Sequence, residues 1–107
     1  MSDGFIAFVL EQVEALGPIT SKKMFGGVGL YAGDQFFGLV SKDVLYLKAD
    51  DSTRAAMKKA GARPFKPFAD RPASVQYYSV PAAILEDGEA LLAWAKRSIA
   101  IARAQHS

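Results

Sequence analysis

Residues 24–48, MFGGVGLYAGDQFFGLVSKDVLYLK, constrain the fold most, because three short apolar-rich runs follow one another with only turn residues between them. The breaks are Gly33-Asp34 and Ser41-Lys42-Asp43, which have the composition of tight hairpin loops. Short runs joined by such loops predict a three-stranded antiparallel meander.

Alternate residues of a strand point to opposite faces of its sheet, so the meander should have one apolar face. That face carries the aliphatic residues Val28, Leu30, Leu45 and Leu47. The middle strand adds either Phe37 and Leu39 or Phe36 and Val40, and the pattern leaves both alternatives open. The opposite face brings together Tyr31, Tyr46 and Lys48, which could line a pocket or a partner surface. The alternative interpretation is that the tyrosines cap the edge of the core, with their hydroxyls in water.

Before the meander, Ser2 or Asp3 can cap a helix that Gly17-Pro18 ends. Its apolar residues recur at three- and four-residue spacing, at Phe5, Ile6, Val9, Leu10, Val13 and Leu16. Residues 19–23 then predict a brief turn or a short second helix.

After the meander, Asp50, Asp51 and Ser52 predict the start of a helix through Ala60, which Gly61 ends. Residues 63–68 and 75–80 predict a second hairpin around a turn at Asp70-Arg71-Pro72; the first of its strands should be an irregular edge, since proline cannot donate a ladder hydrogen bond. Residues 81–85 suit a single helical turn, and Asp87 can cap a long helix to about Ala104.

The apolar arc of this last helix covers nearly half its circumference, which is wider than one core contact requires. We therefore expect the helix to pack on the sheet and on a second partner, either the first helix or another subunit. A homodimer would be held through Leu92, Ile99 and Ile101.

These elements predict an α+β fold, an antiparallel sheet packed against an N-terminal helix and a long C-terminal helix. The 107 residues, half of them apolar, suffice for a single domain over residues 1–107. The absence of cysteine excludes disulfides and thiolate chemistry. No apolar run approaches the roughly 20 residues that span a bilayer, so we expect a cytoplasmic protein without a membrane contact.

The formal charge of +2 is modest, but basic residues concentrate in residues 54–71. Lysine and arginine clusters contact phosphates, and nearby aromatics such as Phe65 and Phe68 can stack on bases. The candidate nucleic-acid contacts are Arg54, Lys58, Lys59, Arg63, Lys66 and Arg71. The alternative interpretation is a solvated face whose lysines complement a helix dipole.

No residues predict a catalytic, cofactor or metal site. The single histidine, His106, is the penultimate residue, and no acidic pair has metal-ligand spacing. Lys22 and Lys23 precede a glycine-rich run. That run leads into a predicted strand, whereas phosphate-binding loops lead into a helix. Glycines 27 and 29 are better explained as sites where a helix or another backbone approaches the strand closely.

Three short motifs resemble the N-terminal domain of the TfoX/Sxy family: Lys23-Met24-Phe25-Gly26-Gly27, Leu45-Tyr46-Leu47-Lys48, and Tyr77-Tyr78 with Pro81. The similarity extends from Phe5 to about Ala102. Long family members join this domain to a helical C-terminal domain and act as positive regulators of natural competence genes. This chain stops where the second domain would begin, so it is similar to the stand-alone members.

The resemblance implies an α+β fold and no known enzymatic activity. The function we predict is a small non-enzymatic regulatory domain that acts through protein contacts in transcriptional control, with a transcription-related protein partner. The alternative is a direct nucleic-acid-binding module that uses the basic segment 54–71.

Overall fold

The computed structural model describes residues 3–24, 26–66 and 72–106. A single sheet has the strand order β1-β2-β3-β4-β5, and every neighbouring pair is antiparallel. The elements are, in chain order, α1 (Asp3–Val13), a 3₁₀ turn (Glu14–Leu16), β1 (Ile19–Met24), β2 (Gly27–Ala32), β3 (Gln35–Ser41), β4 (Val44–Lys48), α2 (Arg54–Lys59), β5 (Tyr77–Ser79), α3 (Ala82–Leu85) and α4 (Gly88–His106). The predicted α+β class is confirmed.

The meander β2-β3-β4 forms as its turn residues predict. Gly33 has a φ of 61° in the first turn, and Lys42 and Asp43 have φ values of 51° and 60° in the second. Left-handed residues suit tight hairpins, because their twist matches that of the strands. Helix α1 ends at Val13, and the 3₁₀ turn that follows it ends at the predicted Gly17, which has a φ of 105°.

The prediction of a turn or short helix over residues 19–23 is wrong. These residues form β1, an edge strand that pairs with β2 from Ile19 opposite Ala32 to Met24 opposite Gly27. Five of its six residues are exposed, so the strand lacks the apolar alternation that would identify it in the sequence. Pairing with β2 decides its conformation.

A β-bulge in β3 settles which residues of the middle strand point inward. Leu30 pairs with Gly38 and the next residue, Tyr31, pairs with Phe36, so Phe37 is the extra residue. Phe37 and Val40 are both fully buried in the core, while Phe36 lies on the opposite face. Each alternative derived from strict alternation was therefore half right.

The core lies between one face of the sheet and helices α1 and α4. It contains Val28, Leu30, Leu45, Leu47 and Tyr78 from the sheet and Leu91, Ala95 and Ile99 from α4. Helix α4 packs on β3, β4, α1 and α3, which accounts for its wide apolar arc. Of the two second partners predicted for this helix, the first helix is the one observed.

Capping residues position the helices around this core. Before α2, the Asp50 carboxylate accepts hydrogen bonds from the Ser52 hydroxyl and from the amides of Ser52 and Thr53. These bonds lower the pKa of Asp50, and the bond from the Ser52 hydroxyl has the largest effect. Asp87 accepts from the Ala90 amide at the start of α4. Asp87 agrees with the predicted start of α4, whereas α2 begins later than predicted, at Arg54, and Asp50 caps the turn that precedes it.

The second hairpin forms in part. Pro64 makes an isolated bridge to Tyr78, flanked by bonds from the Phe65 amide to the Tyr77 carbonyl and from the Ser79 amide to the Arg63 carbonyl, both 2.8 Å. Strand β5 is shorter than predicted, and Val75 is exposed. Residues 67–71, with most of the predicted turn, lie outside the described residues.

Candidate interaction surface

The face of the sheet opposite the helices carries a line of aromatic side chains. Antiparallel register sets Tyr31 of β2 beside Phe36 of β3, with ring centroids 5.3 Å apart. Phe36 in turn meets Tyr77 of β5, with centroids 5.6 Å apart and rings edge to face. These distances are in the range of favourable aromatic pairs.

A second pair extends this line. Tyr46 of β4 lies against Phe65, with centroids 4.7 Å apart. Phe65 reaches this face because Pro64 bridges inward-facing Tyr78 and so turns its own neighbours outward. We call Tyr31, Phe36, Tyr46, Phe65 and Tyr77 the aromatic surface.

Gly29 makes room for this surface. A Cβ at Gly29 would lie 2.8 Å from Cε1 of Phe36 and 3.2 Å from the Met24 sulfur, which shows that both side chains lie across a strand position without a side chain. At Gly27 the close neighbour is the carbonyl oxygen of Val40. The predicted close approach of another backbone is therefore observed at Gly27, whereas at Gly29 the prediction is wrong and side chains occupy the space.

Two lysines flank the aromatic surface. The Lys22 ammonium lies 5.1 Å from the centroid of Tyr31, and the Lys48 ammonium lies 5.9 Å from that of Tyr77, both within cation–π range. Lys23 follows Lys22 on a strand and points to the other face, so the two lysines do not form one anion cradle.

The hydroxyls of Tyr46 and Tyr77 remain protonated well above neutral pH. Burial raises the pKa of Tyr77, and the nearby Tyr31 phenol adds to that shift. Burial also raises the pKa of Tyr46. Both phenols can therefore donate hydrogen bonds to a partner while their rings provide apolar area.

The structure brings Tyr31, Tyr46 and Lys48 together on one face, as the strand period predicts. Of the adjacent tyrosines, Tyr77 belongs to the same face and Tyr78 is buried in the core. The sequence interpretation did not place Phe36 or Phe65 in this cluster. Phe36 depends on the bulge, and Phe65 lies between two prolines where no strand alternation can be recognised.

The basic residues of segment 54–71 differ in their surroundings, because some have partners within the chain and others are exposed. Arg54 forms an ion pair with Asp51 and donates a hydrogen bond from Nε to the Val75 carbonyl at 3.0 Å. Its guanidinium therefore links the start of α2 to the segment before β5. The Lys58 ammonium lies 5.8 Å from the Tyr78 ring. The remaining described members, Lys59, Arg63 and Lys66, are exposed, and Arg71 lies outside the described residues.

The residues predicted to hold a homodimer are largely covered within the chain. Ile99 and Ile101 are 6% and 8% exposed, and Leu92 is half-buried. The homodimer stays a prediction, and Leu92 is the member of this set with the most surface to offer.

Other kinds of site have little support in the described segments. None of the helices there has the length and apolar content to cross a bilayer. Nor do three or more His, Cys, Asp or Glu side chains of residues 3–24, 26–66 and 72–106 come together as a metal site would require.

These features define a class of small α+β domain: one antiparallel sheet with helices on one face and aromatic side chains on the other. Residues 11–102 match the family described as the TfoX N-terminal domain, and the chain belongs to that family. It is 35% identical over 69 residues to DNA transformation protein TfoX1 of Aliivibrio fischeri (strain ATCC 700601 / ES114), an alignment that covers 64% of this chain. The same alignment covers 33% of TfoX1, so the match spans about a third of that relative.

Proposed function

We propose that this chain is a non-enzymatic regulatory domain that acts in the cytoplasm through protein contacts in transcriptional control. The observation that carries the proposal is the aromatic surface. Family membership and the name of the relative TfoX1, a DNA transformation protein, support a regulatory role linked to transformation.

The physical argument concerns what normally occupies an open sheet face. Antiparallel sheets with one solvated face usually carry polar residues there. Here five half-buried aromatic side chains occupy that face. Leu39, which lies on the same face, is only 7% exposed. Aromatic residues are enriched in the centres of protein interfaces, where large rigid rings bury area and phenols find hydrogen-bond partners.

The partner can be identified by placing a photo-crosslinking residue at Thr20, an exposed position of β1 opposite Tyr31. Once it is identified, Tyr77→Ala should weaken its binding about thirtyfold or more in calorimetric titration, because aromatic interface anchors contribute about 2 kcal/mol or more. The same variant should reduce transcription from a partner-dependent reporter.

Phe8→Ala is the matched control. Phe8 is also an exposed aromatic side chain, at 37%, but it lies on α1, on the helix-covered side of the sheet. Its removal should leave affinity unchanged. If Phe8→Ala weakened binding and Tyr77→Ala did not, the contact would lie on the helices and the proposal would be wrong.

Direct nucleic-acid binding is the second candidate, and one observation favours it. The segment that carries exposed Arg63 and Lys66 also carries Phe65, whose ring packs against Tyr46 in a tilted arrangement. Part of the basic segment is thereby joined to a set of rings on which bases could stack, as in sheet-based binders of single strands.

Charge reversal tests this candidate. If the segment binds a phosphate backbone, Lys58→Glu, Lys59→Glu and Arg63→Glu together should abolish the salt-dependent affinity measured by fluorescence anisotropy with labelled single-stranded and duplex DNA. The wild-type slope of log affinity against log salt counts the phosphate contacts.

The control is a second triple reversal with the same change in net charge, made at exposed residues away from the segment: Lys42, Lys96 and Arg103. It separates a local contact from a general charge effect. Equal losses in the two triple variants would reject the segment as a binding site, and no binding at low salt would reject the candidate altogether.

A further inference from the structure

A cleft on the helix side of the molecule lies between α2, α3 and α4, and the proposed function does not use it. Its volume is about 180 Å³. Apolar side chains form most of its wall, among them Met57 of α2, Ile84 of α3 and Trp94 of α4. An apolar cavity of about 150 Å³ is large enough to hold benzene, so this cleft can accept a molecule of one ring or a short alkyl chain.

The polar groups of the cleft are unevenly distributed. The Ser98 hydroxyl donates to the Lys48 carbonyl at 2.8 Å, so its proton is committed within the chain. Lys48 also borders the cleft, but its ammonium lies over the Tyr77 ring on the aromatic surface. Arg97 is therefore the cation available to an occupant.

Within the part of the chain that the structure describes, Arg97 has no counter-ion. The residues that line the cleft include no aspartate or glutamate, and among the described residues no carboxylate lies within ion-pair distance of the Arg97 guanidinium. An apolar cleft with one free guanidinium at its edge is complementary to a molecule with an apolar body and one anionic group. Carboxylates match the guanidinium fork by paired hydrogen bonds.

We propose that this cleft binds a small apolar carboxylate, of the size of a medium-chain fatty acid or a single-ring aryl acid. The apolar body lies against Met57, Ile84 and Trp94, and the carboxylate pairs with Arg97. The lining of the cleft includes no residue of the aromatic surface, so occupancy can be measured without any protein or nucleic-acid partner.

Trp94 is the single tryptophan of the chain and lines the cleft, so its fluorescence reports occupancy directly. We expect octanoate to change this fluorescence saturably. 1-Octanol, which has the same chain without the charge, should bind about fivefold more weakly, the ratio expected for a partly exposed ion pair of about 1 kcal/mol.

Two substitutions locate the site. Arg97→Gln should weaken octanoate about fivefold and leave octanol unchanged, while Arg103→Gln, an exposed change further along α4, should affect neither. Ala56→Leu adds a side chain at the wall of the cleft and should abolish the response to both probes. Circular dichroism and thermal melting confirm that each variant is folded.

Several results would overturn the proposal. Equal binding of octanoate and octanol, or equal effects of Arg97→Gln and Arg103→Gln, would remove the carboxylate. Binding that survives Ala56→Leu would place the ligand elsewhere. No response of Trp94 to either probe would reject the small-molecule site and leave the cleft to an apolar side chain of a protein partner.

Discussion

Replacing Phe37 with alanine is expected to lower the free energy of unfolding by about 4 kcal/mol. Phe37 is the extra residue of the β3 bulge and is completely buried beneath the helices. Truncation removes the transfer free energy of the ring and leaves a cavity. The cavity cannot close, because β3 is hydrogen-bonded to β2 on one side and to β4 on the other. Urea denaturation followed by circular dichroism measures the change.

Phe36→Ala is the control, because the two phenylalanines are adjacent in sequence and lie on opposite faces. Phe36 is half-buried among other rings, so its loss should cost about 1 kcal/mol, mainly the aromatic contacts with Tyr31 and Tyr77. Similar losses for the two variants would contradict the bulge and the assignment of faces.

The second large effect is expected at Gly38, where alanine should destabilise the protein by about 2 kcal/mol. Gly38 pairs with Leu47 on the inner face of the sheet. A Cβ there would lie 2.8 Å from the carbonyl oxygen of Tyr46 and 3.0 Å from Leu47 Cδ2. Because one of these atoms belongs to the backbone, the strands must separate, and this cost exceeds the entropic gain of replacing glycine.

Gly29→Ala is the comparison for this prediction. The atoms close to a Cβ at Gly29 are the edge of the Phe36 ring and the Met24 sulfur, which are the ends of side chains that can move. We expect a loss below about 1 kcal/mol, measured by the same urea titration. A larger loss of stability for Gly29→Ala than for Gly38→Ala would contradict this prediction. It would show that the sheet tolerates an added methyl group less well on the aromatic surface than on the face under α4.

The two faces of the sheet have different proposed roles, stability for the inner face and partner binding for the outer face. The inner face packs against α1 and α4 and supplies most of the stability, and the cleft lies between α2, α3 and α4. The outer face carries rings that contribute little to the core, since Tyr31, Tyr46 and Tyr77 remain partly open to solvent. Substitutions on the outer face should therefore change binding with little loss of stability, which makes the two proposals separable.

Much of the fold was predictable because its signals are local. Glycine and polar pairs mark the turns of the meander, and Asp87 caps α4. Asp50 caps the turn before α2, and glycines with positive φ follow the 3₁₀ turn at Gly17 and α2 at Gly61. Family membership was also predictable, because short motifs spread along the chain carry it. Each of these depends on chemistry within a few residues.

Tertiary structure decided the rest, since it depends on which strands pair and in what register. β1 is a strand because the edge of β2 offers hydrogen bonds, although its own residues are mostly exposed. A single extra residue in β3 sends Phe37 inward and Phe36 outward, which no strict period-two pattern can express. The aromatic surface draws its side chains from β2, β3, β4, β5 and the segment around Pro64. Its assembly is therefore a property of sheet order, which the sequence encodes only through the whole set of long-range contacts.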